Sequence, residues 1–344
     1  MGIDVTRLDA DARDRWNRRV ERAPEAMPVH RHEALAVIAD ATDTTLHLLG
    51  GFKGEEPVGL LPVFAKRRGP LTFVYSPPTQ VRIPYLGPLL LNTEQLKQRK
   101  AEQWHAKFVD GCLDLVDANL DPDHVEIRTT DRYPEARPFI WNDMDVEPAY
   151  TYVVDITADE EQLLKRFSSG ARKSIRDADE YDYTVEEGGE RVVRRVLQQL
   201  RRRYEDSEEG YYGVDPEVAV ALYRALPDGR VRPYECRLDG EYVGGGISLE
   251  SEDTVYHWRG GAKTRLDFPV NEVVDWHIMR RAAERDKSRF DFVGAMNRRV
   301  SEYKAKFNPE LRVRYVARRR SRRVHVMSSM YSRVPEQLQA IIGV

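Results

Sequence analysis

Between Thr254 and Asn308 the apolar residues change their spacing repeatedly, and few folds accommodate the result. Thr254 to Trp258 alternates as a strand does, and Arg259-Gly260-Gly261 breaks it. A loop runs on to Pro269, and Asn271 is the expected N-cap of a helix. Val274, Ile278 and Ala282 recur in that helix at helical spacing, beside Trp276, Met279 and Ala283. Arg289 to Val293 alternates again, with Phe290 and Phe292 on one side and Asp291 and Val293 on the other. After Gly294 a short helix ends in Tyr303-Lys304-Ala305-Lys306-Phe307-Asn308. Strand, glycine-containing loop, helix, strand and helix form an α/β unit, whose strand-end loop is where small ligands commonly sit.

A chain of 344 residues exceeds one ordinary core, so two domains are expected. A formal charge of −3 gives no reason to expect DNA as a partner. Cys112 and Cys236 lack the spacing of a disulfide scaffold or a metal knuckle, which fits a reduced, cytoplasmic setting. No apolar run approaches the roughly 20 residues of a membrane span, and Met1 to Leu8 reads as a first strand and not a signal peptide. GxSxG, P-loop and HExxH patterns are absent, which removes support for serine hydrolase, P-loop and zincin chemistry. His30 and His32, two apart, do not share a helix face, so no metal is expected there.

Helices are expected from Asp9 to Arg22 and from His32 to Ala41, followed by a hairpin of Thr44–Phe52 and Val58–Ala65. More strand and a long helix from Thr93 to Asn119 follow, then a strand at His124–Thr129. From Tyr150 the order restarts: strand, helices, a hairpin of Val231–Leu238 and Val243–Leu249, strand, helix, strand. Both hairpins turn on Gly-Glu and return through Val-Gly (Gly54-Glu55, Val58-Gly59; Gly240-Glu241, Val243-Gly244). This reads as a duplicated α/β unit, with Asp143 to Pro148 as linker. The expected division is 1–148, 149–316 and a tail of strands and a helix at 317–344, whose packing back on the first domain the sequence leaves open.

Three segments carry a family likeness: Arg172-Lys173-Ser174-Ile175-Arg176-Asp177-Ala178, Phe290-Asp291-Phe292-Val293-Gly294, and Tyr303-Lys304-Ala305-Lys306-Phe307-Asn308. They resemble the basic helix, the aromatic-Asp-Phe strand end and the F-K-x-x-F helix end of Fem-type aminoacyltransferases and related GNAT acyltransferases. The likeness follows most of 150–315; over 1–145 it is architectural, with Gly59-Leu60-Leu61-Pro62 the best local match. It implies an α/β (α+β) fold of two tandem GNAT-like domains, each a mixed, mainly antiparallel sheet flanked by helices. It also implies N-acyl transfer, without a metal, from an acyl-CoA or an aminoacyl-tRNA to an amine on a small molecule or peptide, with tRNA a candidate partner. Two departures stand out. Arg259-Gly260-Gly261-Ala262-Lys263-Thr264-Arg265 lacks the Q/R-x-x-G-x-G/A spacing of a coenzyme A loop, which keeps the donor open. Glu208-Glu209-Gly210-Tyr211 stands where peptidoglycan-modifying members carry a basic residue.

Lys304 is the catalytic candidate: a cation there stabilises the oxyanion of an acyl-transfer transition state, although an ordinary helix-flank lysine is solvated. Arg172, Lys173 and Arg176 suit phosphate, with a solvated helix face as the plainer reading. Trp258 and Arg259 end a strand at the expected cleft, as acyl-pocket wall and anion partner or as core. Asp291 is a base or a turn cap, and Tyr303 and Phe307 share a helix face beside Lys304. His257 and His277 are nearer to packing roles than to proton transfer. The competing functions are a non-catalytic ligand-binding scaffold and an RNA-binding protein using Arg318 to Arg323.

Overall fold

In the computed structural model the described residues are 2–8, 13–205, 213–263 and 266–324, with 204 and 205 as backbone only. The first half runs β1 (Asp4–Leu8), α1 (Arg13–Val20), α2 (His32–Thr42), β2 (Thr45–Lys53), β3 (Glu56–Arg68), β4 (Leu71–Ser76), β5 (Leu89–Leu90), α3 (Gln98–Leu120), β6 (His124–Arg128) and α4 (Arg137–Trp141). The second runs β7 (Asp145–Asp155), α5 (Glu160–Arg166), α6 (Ser169–Asp177), β8 (Tyr183–Glu187), α7 (Glu190–Glu205), α8 (Pro216–Ala225), β9 (Val231–Leu238), β10 (Glu241–Glu250) and β11 (Thr254–Ala262). It closes with α9 (Val270–Ala283), β12 (Arg289–Asp291), α10 (Arg298–Lys304) and β13 (Glu310–Arg320).

All these strands join one sheet, ordered β1-β2-β3-β4-β6-β13-β7-β12-β11-β10-β9-β8, with β5 on β3. Pairing is antiparallel except at β4–β6 and β11–β12. Each half keeps its strands together, as two half-sheets placed edge to edge. The expected linker, however, is strand. β7 passes straight through 145–148, because β13 lies along it from Glu310↔Val153 to Arg318↔Asp145. β13 then pairs β6 through Val316–Arg320, so the segment expected to close the second domain bridges both halves.

Two arginines of the basic run are spent in the same place. Arg318 pairs with Glu126 at 2.7 Å and Glu147 at 2.6 Å, and Arg319 with Asp117. The rest of the expected tail, from residue 325, lies outside the described residues, as does Asp9.

Helices cover both sides of the sheet. On one side a single core runs across the halves, joining Trp16, Leu35 and Ile38 to Val193, Leu197 and Trp258. On the other, α3 packs under the first half and α6 and α9 under the second. Phe108 of α3 is wholly buried against the β2–β3 hairpin, and a Cβ at Gly59 would stand 2.5 Å from its ring. Glycine is therefore needed there for the helix to seat. Two partly buried ion pairs stitch the seam, Arg132 with Asp253 and Arg289 with Asp131. No helix among the described residues is long and apolar enough to cross a membrane.

Candidate active site at the splay of β11 and β12

β11 and β12 are parallel neighbours only from Thr254↔Arg289 to Tyr256↔Asp291. β12 then ends, while β11 continues to Ala262 on β10. The two strands part in a wedge at their carboxyl ends. Strand alternation sends Phe290 and Phe292 towards α9 and leaves Asp291 facing the other side, wholly buried.

The chain turns sharply at the tip of β12. Val293 has φ +56° and Gly294 +84°. A β-branched residue in that region costs on the order of 1–3 kcal/mol and persists only where its surroundings dictate it. Here they do. The Val293 N–H donates to Asp291 Oδ1 at 2.7 Å, and the Gly294 N–H to Thr151 Oγ1 at 2.9 Å. Thr151 Oγ1 donates in turn to Asp291 Oδ1 at 2.5 Å. Tyr85, from the first half, donates to Thr151 at 3.0 Å and lies 3.3 Å from Asp291. The two carbonyls of the turn both accept from Lys304 Nζ, Val293 O at 3.1 Å and Gly294 O at 2.7 Å. Every polar backbone group of the turn is thus accounted for, and the lysine ammonium is fixed at the tip of the wedge.

Burial dominates the electrostatics. It pushes the half-buried Lys304 ammonium down to about 8, against Asp291 and Asp275, which hold it up, and with Arg259, which lowers it further. Burial, with help from the Asp131 charge, raises the Asp291 carboxyl to about 6. Its second oxygen has no hydrogen-bond partner among the described residues. Behind the lysine, Tyr303 donates to Asp275 Oδ2 at 2.6 Å, while His257 Nδ1 lies 2.7 Å from Oδ1 of the same carboxylate. Burial and the Asp275 charge push the Tyr303 hydroxyl well above its ordinary range.

Known structures share this fold at low identity. The structure of FemX superposes with a TM-score of 0.70 at 12% identity, covering 91% of this chain and 96% of FemX. L-PGS from Bacillus licheniformis gives 0.55 at 12%, covering 91% and 94%. A conserved protein of unknown function from Bacteroides thetaiotaomicron gives 0.56 at 12%, covering 92% and 99%. Those likenesses establish the fold. Residues 165–305 match the family model described as an acetyltransferase (GNAT) domain, a span that contains the whole wedge. That segment carries a GNAT acetyltransferase domain. No curated protein sequence matches it.

Several residues singled out in the sequence meet at this wedge. Lys304 and Asp291 flank the turn, and Tyr303 stands behind it. Phe307 is wholly buried, its ring 5.1 Å from those of Phe167 and Phe292, and so supports the wedge from below. Trp258 lies in the shared core with Nε1 on Arg82 O at 3.1 Å. Arg259 Nη2 reaches the same carbonyl at 2.9 Å, so a first-half loop closes one wall. The basic helix α6 begins beside Lys306, whose carbonyl accepts from the Ser168 N–H at 2.8 Å. Arg172 donates to Lys165 O at 2.9 Å, Lys173 pairs with Asp177 at 3.2 Å, and Arg176 is exposed on α6.

His257 has the carboxylate partner that the sequence did not reveal. His277 packs against Tyr234 at 5.9 Å, and burial lowers it to about 4. His30 is a core residue, its Nε2 on Leu86 O at 2.9 Å. No group of three or more metal-ligating side chains occurs among the described residues. The expected cap Asn271 lies inside α9, whose N-cap is Pro269. Glu208 to Tyr211, with Thr264 and Arg265, lie outside the described residues.

The residues that sequence reasoning missed are Tyr85, Thr151 and Asp275. Tyr85 lies in the loop before β5, Thr151 on β7 and Asp275 on α9, and only the fold that brings them to one place gives them a role. A buried aspartate at Asp275, in an otherwise apolar helix run, was the one local signal.

Proposed function

We propose that the wedge transfers an acyl or aminoacyl group from an acyl-CoA or an aminoacyl-tRNA to the amine of a small molecule or peptide, in one ternary complex. The single observation that supports this is an ammonium group, Lys304, held by two carbonyls at the opening between parallel strands. The amine nitrogen attacks the donor carbonyl, and the ammonium stabilises the oxyanion that forms. The bond from carbon to the donor's sulfur or ribose oxygen then breaks, and the departing atom takes the proton that the amine loses. Both substrates bound side by side require no covalent enzyme intermediate.

The expected pH dependence has a definite sign. A lysine whose ammonium is lost near pH 8 gives kcat/KM an alkaline limb that falls above that value. In the Lys304→Arg variant the charge persists, so the alkaline fall moves out of range. The same alkaline limb in both proteins would dismiss Lys304 as its source. The reading as a whole is tested by incubating the protein with acyl-CoA or aminoacyl-tRNA and a panel of amines, with mass detection of the product. Transfer from neither donor would leave a non-catalytic scaffold.

A further inference from the structure

On the α7 side of the sheet a groove of about 430 Å³ lies between α7 and the β9–β10 hairpin. Arg195, Arg202, Arg237 and Lys263 line it, with Gln198 and Gln199. The acids facing them are Glu241, also in the lining, and Glu235, on which Arg195 and Arg237 both converge at 3.0 Å. Arg191 adds a third arginine to Glu235 at 3.8 Å. Two carboxylates thus face five cations.

Tyr242 supplies the second observation. It lines the groove at 8% exposure, and its hydroxyl has no hydrogen-bond partner among the described residues. A buried tyrosine hydroxyl normally has one. Arg195 lies over the ring, 4.7 Å from its centre, which places cation and hydroxyl together. An unmet donor in a cationic groove asks for an anion, and arginine forks match phosphate oxygens in pairs.

Position says whose phosphate. Lys263 follows the last residue of β11, and its N–H is anchored on Val243 O at 2.8 Å. Arg259 at the wedge is four residues back along that strand, roughly 13 Å at strand rise. Both donor classes carry their phosphates away from the reacting carbonyl. We infer that this groove binds a phosphate group of the acyl donor through Tyr242 and the surrounding arginines, an inference that rests on the transfer reaction proposed above.

The test measures binding of inorganic pyrophosphate, coenzyme A and uncharged tRNA by calorimetry, to the wild type and to Tyr242→Phe and Arg202→Gln/Lys263→Gln. The expected result is pyrophosphate affinity about tenfold weaker in the double variant and several-fold weaker in Tyr242→Phe. The KM for donor rises in parallel while kcat holds. Loss confined to coenzyme A or to tRNA identifies the donor class and supports the groove. Unchanged affinity for all three probes in both variants, or no binding of any by the wild type, overturns it. Unchanged affinity with transfer intact refutes the groove alone. Weakened phosphate binding in a protein that transfers from neither donor refutes the reaction and leaves the groove as a phosphate site.

Discussion

The Lys304→Met variant is expected to turn over about 10²–10³-fold more slowly, the usual consequence of removing one preorganised donor from an oxyanion site. Methionine keeps the volume and the apolar stem, so the helix still packs. The variant also leaves Val293 O and Gly294 O without their donor, which costs on the order of 1–2 kcal/mol of stability. That loss is small enough for the protein to remain folded. Single-turnover rates with saturating substrates isolate the chemical step. If they were unchanged, the ammonium would be a strut for the Val293–Gly294 turn and nothing more.

Asp291→Asn should stabilise the protein at neutral pH and impair it at alkaline pH, both through one charge. The carboxyl is wholly buried and titrates near 6, so at low pH the native state holds a proton that the unfolded chain, with its ordinary value near 3.8, releases. Its contribution to stability is therefore complete below the unfolded value and is lost as pH rises through 6. Asparagine does not titrate. The stability difference between variant and wild type grows by roughly 2–3 kcal/mol from pH 4 to pH 7, read from urea midpoints at the two pH values. A difference that stays flat with pH would contradict the buried charge.

Oδ1 of the asparagine can still accept from Val293 and Thr151, so the turn is retained. What Lys304 loses is the negative charge that helps hold its proton. The alkaline limb of kcat/KM accordingly moves below pH 8 in this variant. A purely structural role for Asp291 would leave the limb in place.

Much of this was legible in the order of residues. The alternation of Arg289 to Val293, the helical spacing of Val274 to Ala282 and the paired Gly-Glu hairpins are local patterns. Local spacing fixes strand, helix and turn, and through them the two half-sheets. Lys304 and Asp291 could be singled out because their motif is contiguous. The seam could not be read. The pairing of β13 with both β6 and β7 depends on hydrogen bonds between residues more than a hundred positions apart, and Asp143 to Pro148 has turn-like composition that such pairing overrides.

The amino-acid order by itself determined the element sequence and the segment that carries the wedge. Only the tertiary structure decided that Tyr85 and Thr151 brace the strained turn, that Asp275 joins His257 to Tyr303, and that Lys173 of the basic helix α6 pairs with Asp177. The reason is physical. Burial and charge proximity set the state of a lysine or an aspartate, and both are properties of neighbours in space, which spacing along the chain does not encode.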